Sequence, residues 1–352
     1  MKAAVWYGNK DVRVLNVPEP PAPPPGWVKI KVEWCGICGS DLHEYDAGPI
    51  FIPVDKPHPL TNAKAPLILG HEFSGQIVEV AGDVMDWKVG DRVAPDACQV
   101  CHKCEMCKVN RYSACDVLAF TGLMIDGAFA EYVNVPAYTL YKVPDSVGYE
   151  AAAVVEPLTV GLHGVRRGKL VAGETAAVIG AGTIGLSALQ SAKAGGATKV
   201  YVLEMAKARK EFAMKLGATA VIDPSECDPV AELKRLNGGL GVDLAIECVG
   251  GAKTAPLAVD LVRNGGRAVL CGIFEKPSEI HCNNLVFFEK EIYGSLAYYD
   301  EFDKTLDFLA DGRMVAEPMI TAKIGIDDII EGGFKELLRN REKHIKILVS
   351  PK

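Results

Sequence analysis

Two spacings of apolar residues divide the chain. Near the start the period is two: residues 27–34 read W-V-K-I-K-V-E-W, which predicts a half-buried antiparallel strand. Ser74–Val80 and Gly127–Val135 (G-A-F-A-E-Y-V-N-V) are also strand-like, and Asp145–Leu162 has helical periodicity. The prolines between Pro18 and Pro25 cannot continue a helix and predict an extended surface connection. From Ala176 the pattern changes. Apolar runs at Ala176–Ile179, Lys199–Glu204, Ala220–Ile222, Val242–Cys248 and Arg267–Ile273 alternate with helical segments, among them Thr183–Ala194 and Ala206–Leu216. Such β-α-β alternation predicts an α/β fold, a doubly wound parallel sheet with helices on both faces. It stops after Ile292–Leu296; a helix near Glu301–Leu309, a helical Ile326–Leu338 and a strand-like His344–Val349 close the chain.

A chain of 352 residues exceeds what one hydrophobic core usually serves, so two domains are expected. Hydrophobic residues at 49% supply enough material for buried sheets and argue against disorder. No apolar run reaches the roughly 18 residues a bilayer span needs, and the N-terminal stretch turns polar too soon for a secretory signal, so a cytoplasmic protein with no membrane partner is expected. A net charge of -7 argues against nucleic acid and leaves small molecules as partners. Five of the eleven cysteines crowd between Cys98 and Cys115, which points to metal rather than to disulfides.

Four short runs carry chemistry. In A-A-V-I-G-A-G-T-I-G, Gly180 permits a tight turn, Gly182 lets the backbone approach a pyrophosphate, and Gly185 lets the helix pack close to the strand. Thr183 and Ile184 open that helix, whose N–H groups serve phosphate. Glu204 ends the next strand, where a carboxylate accepts hydrogen bonds from adenosine ribose hydroxyls and repels a 2′-phosphate; this favours NAD over NADP. Lys207 and Arg209 follow and would soften the preference if they faced the cofactor. Cys35-Gly-Ile-Cys38-Gly-Ser40-Asp41-Leu-His43 is open by itself to three readings: a redox pair, half of a zinc site, or two unrelated thiols. Gly70-His71-Glu72 adds an imidazole and a carboxylate. Glu156 lies beside the apolar Ala151–Val155, where a carboxylate is costly to bury unless it meets a cation. A cysteine, a histidine and a distant carboxylate make a three-ligand zinc site with an open fourth position. Cys101, Cys104, Cys107 and Cys115 suit a closed tetrahedral zinc site that replaces the core a long loop lacks. Spacing alone equally permits Cys98, Cys101, Cys104 and Cys115.

Together these motifs resemble the zinc-dependent medium-chain alcohol and polyol dehydrogenases over essentially the whole chain. The marks are Cys38-Gly-Ser40-Asp41-Leu-His43, Gly70-His71-Glu72, the four-cysteine lobe, Val155-Glu156-Pro157-Leu158, and the glycine turn with its acidic partner. Gly48–Asn62 is similar to the insertion carried by the (R,R)-2,3-butanediol dehydrogenase branch; sorbitol dehydrogenases are more distant. The resemblance implies a GroES-like β-rich catalytic domain at 1–157, with a structural-zinc lobe at about 98–115, a Rossmann NAD-binding domain at 158–296 and a return to the catalytic domain at 297–352. It implies two zinc ions per chain. The catalytic one is expected on Cys38, His71 and Glu156, with Glu72 beside it and Asp41 orienting His71; the structural one on Cys101, Cys104, Cys107 and Cys115. The implied activity is NAD-linked interconversion of 2,3-butanediol and acetoin, or of related vicinal diols and hydroxyketones, with a sorbitol- or xylitol-type polyol dehydrogenase as the alternative. Ser40 and His43 would carry the hydroxyl proton toward solvent, Phe51 and Ile52 would line an apolar wall or simply pack their loop, and a homodimer or homotetramer is expected.

Overall fold

The computed structural model describes residues 1–352, and the chain forms two compact units. The first comprises Met1–Glu156, Phe302–Ala310 and Val315–Lys352; the second Pro157–Glu301 and Asp311–Met314.

In the first unit the alternating run becomes the strand Trp27–Gly36, which buries Val28, Ile30 and Val32. It is central in a seven-stranded sheet ordered Leu140–Lys142, Arg92–Pro95, Glu72–Val80, Trp27–Gly36, Lys346–Ser350, Ile320–Gly325, with Tyr132–Pro136 also pairing to Trp27–Gly36. Both of its neighbours in that order run antiparallel to it. The C-terminal strand therefore lies beside the one that leads to Cys38. Trp6, Ile30, Phe73, Ile77, Phe129, Phe334 and Ile347 share one core, and each such side chain contributes about 1.5–3 kcal/mol by leaving water.

Three expectations shift here. Gly127–Val135 is a strand only from Tyr132, in Tyr132–Pro136, because the Ala128 and Phe129 N–H groups donate to the carbonyls of Gly70 and Leu69 and tie this stretch to the His71 turn. The helical segment expected at Asp145 starts after Gly148, as Tyr149–Ala153, and resumes as Val155–Arg167. Ile326–Leu338 is helical but irregular: a π-helical Ile329–Lys335 separates a 3-10 turn from a short α-helix. Gly332 and Gly333 weaken an α-helix there, and the Asp328 carboxylate takes the Gly332 N–H.

The second unit is built on a six-stranded parallel sheet ordered Ala220–Ile222, Lys199–Leu203, Thr175–Ile179, Val242–Glu247, Val262–Leu270, Glu291–Gly294. Parallel strands need both faces covered, and Ala177, Val178, Val202, Ala245 and Ile246 are fully buried. The chain first builds outward on one side of Thr175–Ile179 and then on the other, so a topological switch point falls between that strand and Val242–Glu247. The helix Pro229–Leu236, which the apolar pattern did not signal, is set by local chemistry: Asp228 accepts the Val230 and Ala231 N–H groups, and a proline opens the first turn. The expected α/β class, a doubly wound sheet with a β-rich unit, is what the chain forms. No helix is long and apolar enough to cross a membrane.

Candidate active site

The strand Trp27–Gly36 leads to Cys38, which caps the helix Gly39–Ala47. Asp41, buried in its first turn, ties two elements together. Its Oδ2 accepts the Cys38 N–H at 2.9 Å, and its Oδ1 lies 3.6 Å from His71 Nδ1. His71 follows Gly70, whose φ of +97° suits glycine and where any side chain would strike Cys35 and Phe129. With Nδ1 facing Asp41, the Nε2 side of His71 is presented to a ligand, and Ser40 Oγ stands 3.4 Å from it. The ligand atoms of Cys38, His71 and Glu72 all lie within 4.8 Å of one another. Glu156, the expected third ligand, is outside this trio: it is buried in the first turn of Val155–Arg167, near enough to the Cys38 thiol to act on its charge. His43 is half-buried on the same helix as Ser40.

A residue that sequence reasoning missed balances the charge. Lys346, in the C-terminal strand, donates to Glu72 Oε2 at 2.5 Å and to the Ile37 carbonyl at 2.8 Å. Both side chains of the pair are at most 2% exposed. They cross Gly36, where any Cβ would overlap the carboxylate. The run H-I-K-I-L-V offers no signal for this, because alternation reads its lysine as solvent-facing. Burial works against the ammonium, but Glu72, Cys38 and Glu156 outweigh it and hold Lys346 above the usual lysine value. Burial and the Glu72 charge push the Cys38 thiol well up, and burial raises Asp41 to about 6. Buried Asp41 Oδ1, His71 Nδ1 and Glu72 Oε1 have no hydrogen-bond partner. Thiol, imidazole and carboxylate, short of positive charge and with polar atoms unsatisfied, are what a dication would complete, and this S, N, O donor set suits zinc.

The second cluster is cleaner. Cys101, Cys104, Cys107 and Cys115 bring their sulfurs within 4.8 Å of one another; Cys101 to Cys115 is 3.6 Å and Cys101 to Cys107 is 3.9 Å. Tetrahedral Zn–S bonds of about 2.3 Å require sulfurs about 3.8 Å apart. The Lys103 and Cys104 N–H groups lower the Cys101 thiol to about 6, whereas burial raises Cys107 to about 12. Cys98 lies in a two-residue strand paired with Ala119–Phe120 and is not among the four clustered sulfurs.

In the second unit the glycine turn connects Thr175–Ile179 to the helix Thr183–Ala194. Gly180 has φ +90° and a Cβ there would meet Val249 at 2.6 Å; at Gly185 it would overlap the Gly180 carbonyl. At Gly182 the nearest atom is Arg209 Nη1 at 3.8 Å, leaving room for a phosphate beside a cation. Glu204 accepts the Ala181, Met205 and Ala206 N–H groups, each at 2.8 Å, which places its carboxylate against the turn. Sequence reasoning also missed Glu247: fully buried, it accepts from the Val249 and Gly250 N–H groups and Thr254 Oγ1, shaping the loop that meets Gly180.

Comparison with known proteins fits these centres. Residues 24–145 match the alcohol dehydrogenase GroES-like domain and residues 183–311 the zinc-binding dehydrogenase family. The chain is 45% identical to (R,R)-butanediol dehydrogenase of Bacillus subtilis (strain 168) over 353 residues, covering 100% of both. The crystal structure of 2R,3R-butanediol dehydrogenase from Bacillus subtilis superposes with a TM-score of 0.93 at 44% identity, covering 100% of this chain and 99% of that one. A short chain alcohol dehydrogenase from E. coli CFT073, solved in complex with cofactor NADH, superposes at 0.90 with 29% identity over 99% of each chain. Zinc and a nicotinamide dinucleotide are the cofactors. By its sequence, its fold and the donors it gathers, this chain belongs to the zinc-binding alcohol dehydrogenase family.

Proposed function

We propose that this enzyme interconverts 2,3-butanediol and acetoin, and related vicinal diols and hydroxyketones, with NAD(H) as hydride carrier. The observation that carries the reading is the Cys38, His71 and Glu72 cluster in a chain 45% identical, end to end, to a butanediol dehydrogenase. Zinc, when bound, acts as a Lewis acid that makes a hydroxyl acidic enough to ionise near neutral pH. Cys38 and His71 would hold it. Glu156 would be the third ligand, as the family resemblance implies and as its charge acting on the Cys38 thiol supports, with Glu72, held by Lys346 through Oε2, beside the metal. Asp41 keeps the His71 Nδ1–H on its own side, so Nε2 carries the lone pair for the metal. Ser40 Oγ, beside His71 Nε2, would take the hydroxyl proton as it gives its own proton to His43, which releases one toward solvent. Gly180–Gly185 cradles the pyrophosphate, Glu204 binds the ribose hydroxyls, and Phe51 faces the methyl groups of the substrate, while Ile52 packs its loop into the core.

The test is a steady-state assay of the resolved 2,3-butanediol isomers, acetoin and sorbitol with NAD and NADP, on the native enzyme and on Glu204→Ala. The (R,R)-diol and acetoin with NAD should be preferred; faster turnover of sorbitol would replace this reading with a polyol dehydrogenase. Glu204→Ala should raise the NADP-to-NAD ratio of kcat/KM by roughly tenfold or more, since a like-charge clash worth several kcal/mol is removed. An unchanged ratio would take Glu204 out of the cofactor site.

We further propose a homodimer or homotetramer that pairs through the edge strand Glu291–Gly294, beside which Val286 and Phe287 are strongly exposed; a monomer by light scattering would refute it. Eleven free cysteines suit a reducing compartment, the cytoplasm.

A further inference from the structure

The helix Gly39–Ala47 buries a second carboxylate that the metal centre does not use. Glu44 lies one turn beyond Asp41 and is fully buried. Its Oε1 accepts the N–H groups of Ile50 at 3.1 Å, of Phe51, and of Ile52 at 3.2 Å, while Oε2 also meets the Ile50 N–H at 3.1 Å. The loop folds tightly onto it: a Cβ on Gly48 would lie 2.6 Å from that carboxylate. An ionised carboxylate is costly to bury unless its oxygens are bonded, and three successive amides turned onto one anion satisfy it from within the chain.

Turning these N–H groups inward has a consequence for the side chains. Ile50 is 51% exposed and Val54 42%, with Phe51 half-buried between them. Ile50 and Val54 thus carry apolar side chains outward while Ile52 anchors the loop in the core. The same helix ties the metal ligands at its other end, where Asp41 takes the Cys38 N–H and faces His71. Gly39–Ala47 is thus a rigid bar between the metal donors and the apolar loop, with one buried carboxylate fastening each end.

We propose that Glu44 is a positioning residue: it sets the place of the Ile50–Ile52 loop relative to the metal donors, and so selects substrates whose carbinol carbons carry methyl groups. This rests on the diol reading above. Glu44→Gln keeps the shape but turns an amide NH₂ toward N–H donors and removes the charge. Relative to the native enzyme it should lower the kcat/KM ratio of 2,3-butanediol over 1,2-ethanediol about tenfold, in the range a hydrophobic pocket discriminates methyl groups. The loss should fall on KM for butanediol, with kcat on ethanediol within about twofold and zinc content unchanged. Hydrogen exchange at Ile50–Ile52 should speed up in parallel. Glu44→Asp, which keeps the charge but withdraws it by one methylene, should fall between the two. A lowered melting temperature with an unchanged substrate ratio in the variants that fold would overturn the proposal and leave Glu44 a purely structural group. If the native enzyme prefers sorbitol, the diol reading fails; the Glu44 inference then stands or falls on whether Glu44→Gln alters the ranking among the alcohols the enzyme does use.

Discussion

Cys38→Ser is expected to take the metal content from about two zinc ions per chain to about one and to lower kcat/KM for 2,3-butanediol on the order of 10²–10⁴-fold. The magnitude follows from the several kcal/mol a Lewis acid contributes to a developing oxyanion, at about 1.4 kcal/mol per tenfold in rate. The geometry says why one sulfur has this leverage. Cys38 is the helix cap, its amide is held by Asp41, and its thiol sits among Glu72, Glu156 and Lys346. Serine preserves that backbone but offers an oxygen that does not become the soft anionic ligand zinc takes from cysteine. The remaining zinc should stay on the four-cysteine lobe, because Cys101, Cys104, Cys107 and Cys115 form a separate cluster. Elemental analysis and initial rates check both halves. A variant with one zinc and full activity would remove the metal from the reaction; one with two zincs would remove Cys38 from its ligands.

Lys346→Met should destabilise the metal-stripped protein by about 3–5 kcal/mol, the range for leaving one partner of a buried ion pair uncompensated. The Glu72 carboxylate would keep its burial and lose its cation, with Oε1 already unpartnered and Oε2 newly so. Glu72→Gln in the same chain should return most of that loss, since the orphaned charge is then gone. Zinc should also diminish the penalty, because a dication next to Glu72 substitutes for the ammonium, and freed Glu72 would compete with Glu156 for the metal. Urea unfolding of the native chain, both single variants and the double variant, with and without zinc, gives the coupling energy. Additive effects, or equal destabilisation with zinc present and absent, would show that Lys346 does not balance this site.

Local chemistry explains what was legible without coordinates. The glycine turn is readable because Gly180 has a positive φ and Gly185 packs on the Gly180 carbonyl five residues before it, and the cysteine cluster because its thiols fall on one short loop. The parallel sheet is readable because strands buried on both faces must be continuous apolar runs. Asp41 belongs here as well: a carboxylate three positions after a helix cap reaches back to the cap amide whatever the rest of the fold does.

What lay beyond the sequence is the partnering of distant groups. Period two reads Lys346 as outward-facing, yet the register that sets the C-terminal strand against Trp27–Gly36 brings it to Glu72 across 274 positions of chain. The sequence could name Glu72 and Glu156 as carboxylates near a metal but not which of them a lysine would occupy. Glu44 and Glu247 read as ordinary charges until their oxygens are seen gathering backbone amides from Ile50–Ile52 and from Val249 and Gly250. By itself the sequence determined the α/β class and pointed to the dinucleotide turn and the cysteine-rich loop, because each is written in residues near one another along the chain. Only the tertiary structure decided how the buried charges are balanced, because a carboxylate's state in a low-dielectric interior depends on which cation or N–H group the fold brings to it.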